Sequence, residues 1–357
     1  MMRKLKAALL VGALIGVGAQ GALAATPAKK AEAPVAKKKV VTAGNKAPVA
    51  AKSVRAGSSK AVASQKAGKQ TVTVSRKAAP VVAAKPGVRL VRHAAMSDIV
   101  SDPGRLALYS ASALVIDQSS GQVVFEKQPD TVVPIASISK LMTAMVVLDA
   151  KLDLNEVIAI GDDDVDGLKG TRSRLPVGTT MTRETAMLLA LMSSENRAAN
   201  ALGRHYPGGL PAFVQAMNHK AHSLGMYNTR FEEPTGLSSN NVSTAHDLAR
   251  MVAAAARYPE IRQFSTTAEA KLELNGRVRD FGNTNALVRS DNWEIGISKT
   301  GYISEAGRCL VMQARVADKP VVIVLLDSNG KMTRVGDANR IKRWMESAAI
   351  GSGRRSA

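Results

Sequence analysis

Apolar positions along the C-terminal two thirds of the chain recur with two periods. Short β-branched runs predict strands over 112–117 and 122–127, in "SALVIDQSSGQVVFEK", joined by a polar turn at Ser119–Gly121. Further runs predict strands at 294–301 ("EIGISKTG"), 308–316 ("RCLVMQARV") and 320–328 ("PVVIVLLDS"), with a shorter one at 155–160 ("EVIAIG"). Helical spacing covers 182–202, 210–226 and 244–257, and a last helix is predicted over about 334–348. Thr244 with Asp247 reads as a capping box. In "PIASISKLMTAMVVLDA" (134–150), the stretch Leu141–Leu148 is apolar on every side except at Thr143, which predicts a buried helix. Apart from the short run at 155–160, five strands fall in two blocks, with helices before, between and after them. The predicted fold is therefore α/β: an antiparallel five-stranded sheet flanked by helices, with an inserted helical subdomain.

Charge divides the 357-residue chain differently. Residues 1–93 carry 19 of its 49 Lys and Arg but 1 of its 29 Asp and Glu. The net charge of +20 thus belongs almost wholly to this N-terminal part, and the folded part is near neutrality. Arg3, Lys4 and Lys6 precede the apolar stretch 7–19, and "ALA" at 22–24 offers small residues for cleavage. Residues 1–24 read as a signal peptide, with an apolar core too short to span a bilayer comfortably. Residues 25–100 form an Ala/Lys/Pro-rich basic segment expected to be disordered, since it lacks the apolar content to offset chain entropy. Within it, residues 25–93 are either a solvated spacer or a polycation holding the protein near an anionic envelope surface. Export takes the chain away from nucleic acid, the usual partner of a Lys/Ala-rich tail. A single cysteine, Cys309, excludes an internal disulfide and reads as a small buried hydrophobe. The folded domain is expected over 101–350, with 351–357 as a tail.

The chemistry starts where the buried helix begins. Ser137 and Lys140 stand at i and i+3 on one face, and Ser139 points elsewhere. A serine needs a base to become a nucleophile, and burial lowers a lysine's pKa until it can serve as one. The pattern alone is weak, because Ser328 and Lys331 repeat it in a turn. A second element, Ser194-Glu195-Asn196, places a hydroxyl and an amide on or just after a long helix, where they can pass protons and orient a substrate. Ser238/Asn240 and Ser239/Asn241 match the same pattern and read as loop turns. The third element is Lys299-Thr300-Gly301, at the end of an apolar strand. A lysine beside a hydroxyl binds carboxylates, and the glycine admits substrate backbone. The spacings are 57 residues from Ser137 to Ser194 and 103 from Asn196 to Lys299, room for a helical subdomain between the outer motifs.

S-x-x-K, S-x-N and K-T-G in that order form the combined signature of active-site-serine penicillin-interacting enzymes. Over about 105–348 the chain resembles the serine-type D-Ala-D-Ala peptidases, the low-molecular-mass penicillin-binding proteins. "PIASISKLMTA", "SSENRAA", "FEEPTGLSSNN" and "ISKTGY" resemble the D-alanyl-D-alanine endopeptidase branch, the penicillin-binding protein 7 type. The resemblance implies the penicillin-binding/β-lactamase-like fold and a periplasmic or envelope-associated enzyme acting on peptidoglycan stem peptides and cross-links. It implies Ser137 as nucleophile, Lys140 as general base, and Ser194 with Asn196 as proton-passing and orienting groups. Lys299, Thr300 and Gly301 would bind substrate, and the backbone N–H groups of Ser137 and Tyr302 would form the oxyanion hole. β-Lactams are implied as covalent inhibitors, and no metal or cofactor is expected.

Alternatives stay open at this point. A carboxypeptidase trimming terminal D-Ala shares every motif. A β-lactamase does too, although no Glu-x-x-Leu-Asn segment lies between the first two. His219 and His222, spaced i and i+3, suggest a metallo-endopeptidase, but their helix face is polar and no third ligand is evident. A non-catalytic envelope-binding protein on the same fold is the remaining reading.

Overall fold

The computed structural model describes residues 106–353, so the signal peptide and the whole basic segment lie outside the described residues. Strand β1 (Ser110–Asp117) pairs with β2 (Val123–Lys127), and the chain passes through β3 (Val133–Pro134) into helix α1 (Lys140–Asp149). The helical body follows. It holds β4 (Val157–Ala159), β5 (Thr180–Thr182), α2 (Arg183–Met192), α3 (Asn196–Arg204), α4 (Gly209–Ser223), β6 (Val242–Ser243), α5 (Ala245–Ala255) and α6 (Pro259–Thr266). A hairpin of β7 (Glu269–Leu274) and β8 (Arg277–Gly282) leads back to the sheet. Long strands β9 (Glu294–Ile303), β10 (Gly307–Val316) and β11 (Lys319–Ser328) and helix α7 (Thr333–Gly353) complete the order.

The main sheet has five strands in the order β2-β1-β11-β10-β9, every neighbouring pair antiparallel. This is the α/β architecture predicted from the sequence. Strand β11 sits at the centre, and its alternating residues serve two cores. Val321, Ile323 and Leu325 pack with Ala338, Ile341 and Met345 of α7, while Val322, Val324 and Leu326 join the helical body. Both faces are covered, so the strand reads as a continuous apolar run. Helix α1 is buried from Lys140 to Val147, as its all-round apolar sequence requires. Among the described residues, no helix is long and apolar enough to cross a membrane.

Two local expectations are corrected, and one hairpin is added. The helix expected over 182–202 is two helices, broken at Ser193–Glu195, with Ser194 in the left-handed region at φ 61°. The break turns the Ser194 side chain toward β9, which a continuous helix could not do. The hairpin β7–β8 was not foreseen, although Asn275-Gly276, both at positive φ, is the hairpin turn signal. The capping box at α5 is half formed. Thr244 accepts from the Asp247 N–H (3.1 Å), but the Asp247 carboxylate is taken by Asn228 N–H, Thr229 and Arg250.

Candidate active site

The first wall is the turn entering α1. Ala136–Ser139 form a 3-10 turn, and Ala136 adopts φ 49°, unusual for a residue with a Cβ. Two glycines brace this backbone. A Cβ on Gly236 would lie 1.9 Å from the Ala136 carbonyl oxygen, and one on Gly301 would lie 3.1 Å from Ser137 N. Ser139 and Ser137 part company as expected. Ser139 is 0 % exposed, donates to the Ala136 carbonyl (2.9 Å) and accepts from Asn241 Nδ2 (3.0 Å). Ser137 is left partly exposed at the surface of the turn.

Lys140 lies one turn along and is 0 % exposed. Its Nζ meets three oxygens: Ser137 Oγ at 2.8 Å, Asn196 Oδ1 at 2.7 Å and the Thr235 carbonyl at 2.6 Å. Burial pushes its pKa down to about 7, against a smaller upward pull from Glu233 and then Glu195. The partner set dictates what a neutral amine does here. It has two N–H donors and one lone pair. Asn196 Oδ1 and the Thr235 carbonyl can only accept, so they take the two N–H groups. Only the Ser137 hydroxyl can donate, so the lone pair faces the serine proton.

The second motif stands opposite. Asn196 opens α3, with Oδ1 on Lys140 and Nδ2 donating to Thr171 Oγ1 (3.1 Å). Between the motif's two polar residues, the buried Glu195 carboxylate accepts from Ser173 (2.6 Å) and Arg174 Nε (2.8 Å), fixing the loop that carries Thr171. The strained Ser194 places its Oγ 2.9 Å from Lys299 Nζ.

The third motif lies on edge strand β9. Lys299 is 1 % exposed, and its Nζ also donates to the Thr300 carbonyl (3.0 Å). Burial holds its pKa well below the usual lysine range, helped by the neighbouring charges of Lys140 and Arg334. Thr300 Oγ1 donates to Thr284 Oγ1 (2.6 Å), and Arg334 donates to the Gly301 carbonyl (3.1 Å). The Tyr302 side chain is 56 % exposed under the Arg308 guanidinium, 4.4 Å from its ring centre. The structure thus brings the three motifs together as two neighbouring hydrogen-bonded groups, Ser137–Lys140–Asn196 and Ser194–Lys299–Thr300, with Lys140 and Lys299 close enough for the charge of one to act on the other and with Gly301 against the Ser137 backbone.

The incidental matches separate cleanly. Ser328 ends β11 and donates to Thr333 Oγ1 (2.6 Å). Ser238 and Asn240 form a local turn, with Asn240 N–H on Ser238 Oγ (3.1 Å). His219 and His222 are exposed on α4. Cys309 is buried, and its thiol is pushed up to about 12 by burial.

Sequence reasoning missed the groups that act through the backbone. Thr235 contributes only its carbonyl to Lys140, and Gly236 only its lack of a Cβ. Asn241, read as a loop turn, is a fully buried staple. Its Oδ1 accepts from the N–H groups of Glu232 (2.8 Å) and Glu233 (3.3 Å), and its own carbonyl receives Ile135 N–H (3.0 Å). The segment "FEEPTGLSSNN" carries all three residues, and its density of turn formers beside two carboxylates was the available signal.

Known proteins place this geometry. Residues 97–330 match the peptidase S11 family model, described as D-alanyl-D-alanine carboxypeptidase. A D-alanyl-D-alanine endopeptidase of Pseudomonas aeruginosa is 51% identical over 250 residues, which is 70% of this chain and 81% of the relative. One of Escherichia coli K12 is 49% identical over 243 residues, 68% of this chain and 78% of the relative. Among solved structures, the Streptomyces K15 DD-transpeptidase superposes with TM-score 0.63 at 26% identity, covering 70% of this chain and 100% of that one. A D-alanyl-D-alanine carboxypeptidase of Mycobacterium tuberculosis gives TM-score 0.61 at 27% identity, covering 69% and 93%. The resemblance drawn from the three motifs holds, and the chain belongs to the S11 family of serine D-alanyl-D-alanine peptidases.

Proposed function

We propose that this protein is a D-alanyl-D-alanine endopeptidase that hydrolyses peptide cross-links of peptidoglycan through an acyl-enzyme on Ser137. The observation that carries the reading is the Lys140 amine, fully buried and held by Ser137, Asn196 and Thr235 so that its lone pair faces the serine proton. With a pKa brought to about 7, a large fraction of this amine is free at neutral pH. The two relatives at about half identity, both named endopeptidases, favour that branch over the carboxypeptidases.

In this reading Lys140 takes the proton as Ser137 Oγ attacks the D-alanyl carbonyl carbon. The oxyanion develops toward the backbone N–H groups of Ser137 and Tyr302, at a turn braced by Gly236 and Gly301. Ser194 and Lys299, joined at 2.9 Å, pass a proton to the departing amine. Lys299 and Thr300 receive a substrate carboxylate, whose arrival draws Lys299 toward its charged form. Water then enters along the leaving-group path and releases the acyl group. β-Lactams, presenting a strained amide to the same serine, acylate Ser137 and are retained. A peptidoglycan substrate agrees with reading residues 1–24 as an export signal.

Digestion of purified cross-linked muropeptides by wild type and Ser137→Ala tests the proposal. Conversion of dimers to monomers by wild type alone supports it. Release of terminal D-Ala with dimers intact makes the protein a carboxypeptidase. Failure of wild type to take up fluorescent penicillin removes the catalytic reading altogether.

A further inference from the structure

The general base is held in part by a segment that none of the three motifs includes. Residues 231–241 are the second half of the connection from α4 to β6, and their fold is organised by one carboxylate. Glu233 Oε2 accepts from Thr235 N–H (2.6 Å) and Thr235 Oγ1 (2.5 Å). Its Oε1 accepts from Gly236 N–H (2.6 Å) and Ser238 N–H (3.3 Å). These bonds curl the backbone so that the Thr235 carbonyl faces Lys140 Nζ at 2.6 Å and Gly236, at φ 82°, lies on the Ala136–Ser137 peptide. Two outer ties hold the curl in place: Asn241 Nδ2 donates to the Glu233 carbonyl (2.9 Å), and Thr143 donates to the Pro234 carbonyl (2.7 Å). No salt bridge joins Lys140 to a carboxylate among the described residues, so Glu233 acts on the amine through the turn and through space.

From this arrangement we propose that Glu233 is a positioning residue for the base. Its carboxylate holds the Thr235 carbonyl on one Lys140 N–H, and thereby aims the amine's lone pair at Ser137. The inference rests on the reading of Lys140 as base to Ser137. A neutral amine has no other reason to choose an orientation: without the Thr235 acceptor, one N–H can turn to Ser137 Oγ, and the lone pair leaves the proton it must take. An amide at position 233 cannot reproduce the carboxylate, because its NH₂ would confront backbone N–H donors.

Charge supplies a readout that a purely structural role would leave unmoved. The charged groups acting on Lys140 are Glu233 from this loop and Glu195 from the start of α3, while Lys299 from β9 faces it and is itself held down by burial and by the charge of Lys140. Glu233 is the larger of the two that favour the ammonium form. Removing its charge therefore lowers the Lys140 pKa and moves the rising limb of acylation to lower pH.

The test is the rate of Ser137 acylation by a fluorescent penicillin, measured across pH for wild type, Glu233→Gln and Glu233→Asp, with thermal unfolding of each. Glu233→Gln is expected to acylate roughly tenfold to a hundredfold more slowly at its optimum, as for a misplacement near 1 Å, with its limb displaced to lower pH. Glu233→Asp keeps the charge one methylene further back, so it is expected to slow acylation with the limb in place. A Glu233→Gln protein with the wild-type rate and limb overturns the inference, and so does a slowed rate with an unmoved limb. Should Glu233→Gln not fold, Glu233→Asp decides: a slowed rate with an unmoved limb supports the inference, and a wild-type rate overturns it. Absence of acylation in wild type would instead remove the catalytic reading on which the inference stands.

Discussion

Gly236→Ala tests how closely the nucleophile's turn depends on a segment 99 residues away in sequence. The added Cβ would stand 1.9 Å from the Ala136 carbonyl oxygen, 2.2 Å from its carbon and 2.7 Å from Ser137 N. All three are backbone atoms, so no side chain can swing aside. The two segments must part by about 1.1 Å, the difference between 1.9 Å and the 3.0 Å that real Cβ contacts respect. That movement carries off both the Ser137 N–H and the Thr235 carbonyl, disturbing the oxyanion site and the orientation of Lys140 together. A misplacement of about 1 Å at reacting groups costs on the order of a hundredfold in rate. The left-handed backbone of residue 236 adds about 1–2 kcal/mol for any residue with a Cβ, so the midpoint of thermal unfolding should fall by roughly 5 °C. The assay is stopped-flow or gel-based acylation by a labelled β-lactam, beside a melting curve. Acylation within about threefold of wild type at an unchanged midpoint would refute the reasoning, because it would mean the turn tolerates what the contact distances forbid.

The remaining expectations concern stability. Folded Lys140 releases its proton at about 7, whereas in the unfolded chain it holds it until roughly 10.4, so between these values the unfolded state binds more protons and stability rises with pH. Lys299, also depressed by burial, adds a slope of the same sign. Lys140→Met should abolish acylation and remove ~1.4 kcal/mol per pH unit from that slope, read by urea unfolding at several pH values above neutrality. Parallel wild-type and variant curves would contradict this. Asn241→Leu orphans the N–H groups of Glu232 and Glu233 and the Glu233 carbonyl, and should cost about 2–4 kcal/mol and slow acylation. An unchanged melting point would show that the staple carries no stability.

Much of this molecule was legible in its sequence, for identifiable physical reasons. The four long strands announce themselves because β1, β10 and β11 are apolar over most of their length and β9 carries spaced isoleucines, and α1 is recognisable as buried because it has no polar face. Lys140 stood out through that same pattern, as a charge at the head of an apolar helix. Illegible were features set by distant contacts. The break at Ser194 follows from the position of Lys299 on another strand, and nothing in "LMSSENRAA" ends helical spacing there. The positive φ of Ala136 depends on Gly236 and Gly301 making room, and alanine carries no sign of it. The Thr235 carbonyl belongs to the backbone, which no side-chain pattern reveals. Helix α6 escaped because eight residues starting at Pro259 give too little periodicity to read.

The central claim is that a buried, partly neutral Lys140 is the base for Ser137, and the pH dependence of the acylation rate tests it most directly. The account expects the second-order rate with a fluorescent β-lactam to rise through a midpoint near 7 as the amine loses its proton, with no label taken up by Ser137→Ala. A midpoint near 10, as for an ordinary solvated lysine, or a rate flat across neutral pH, would contradict it.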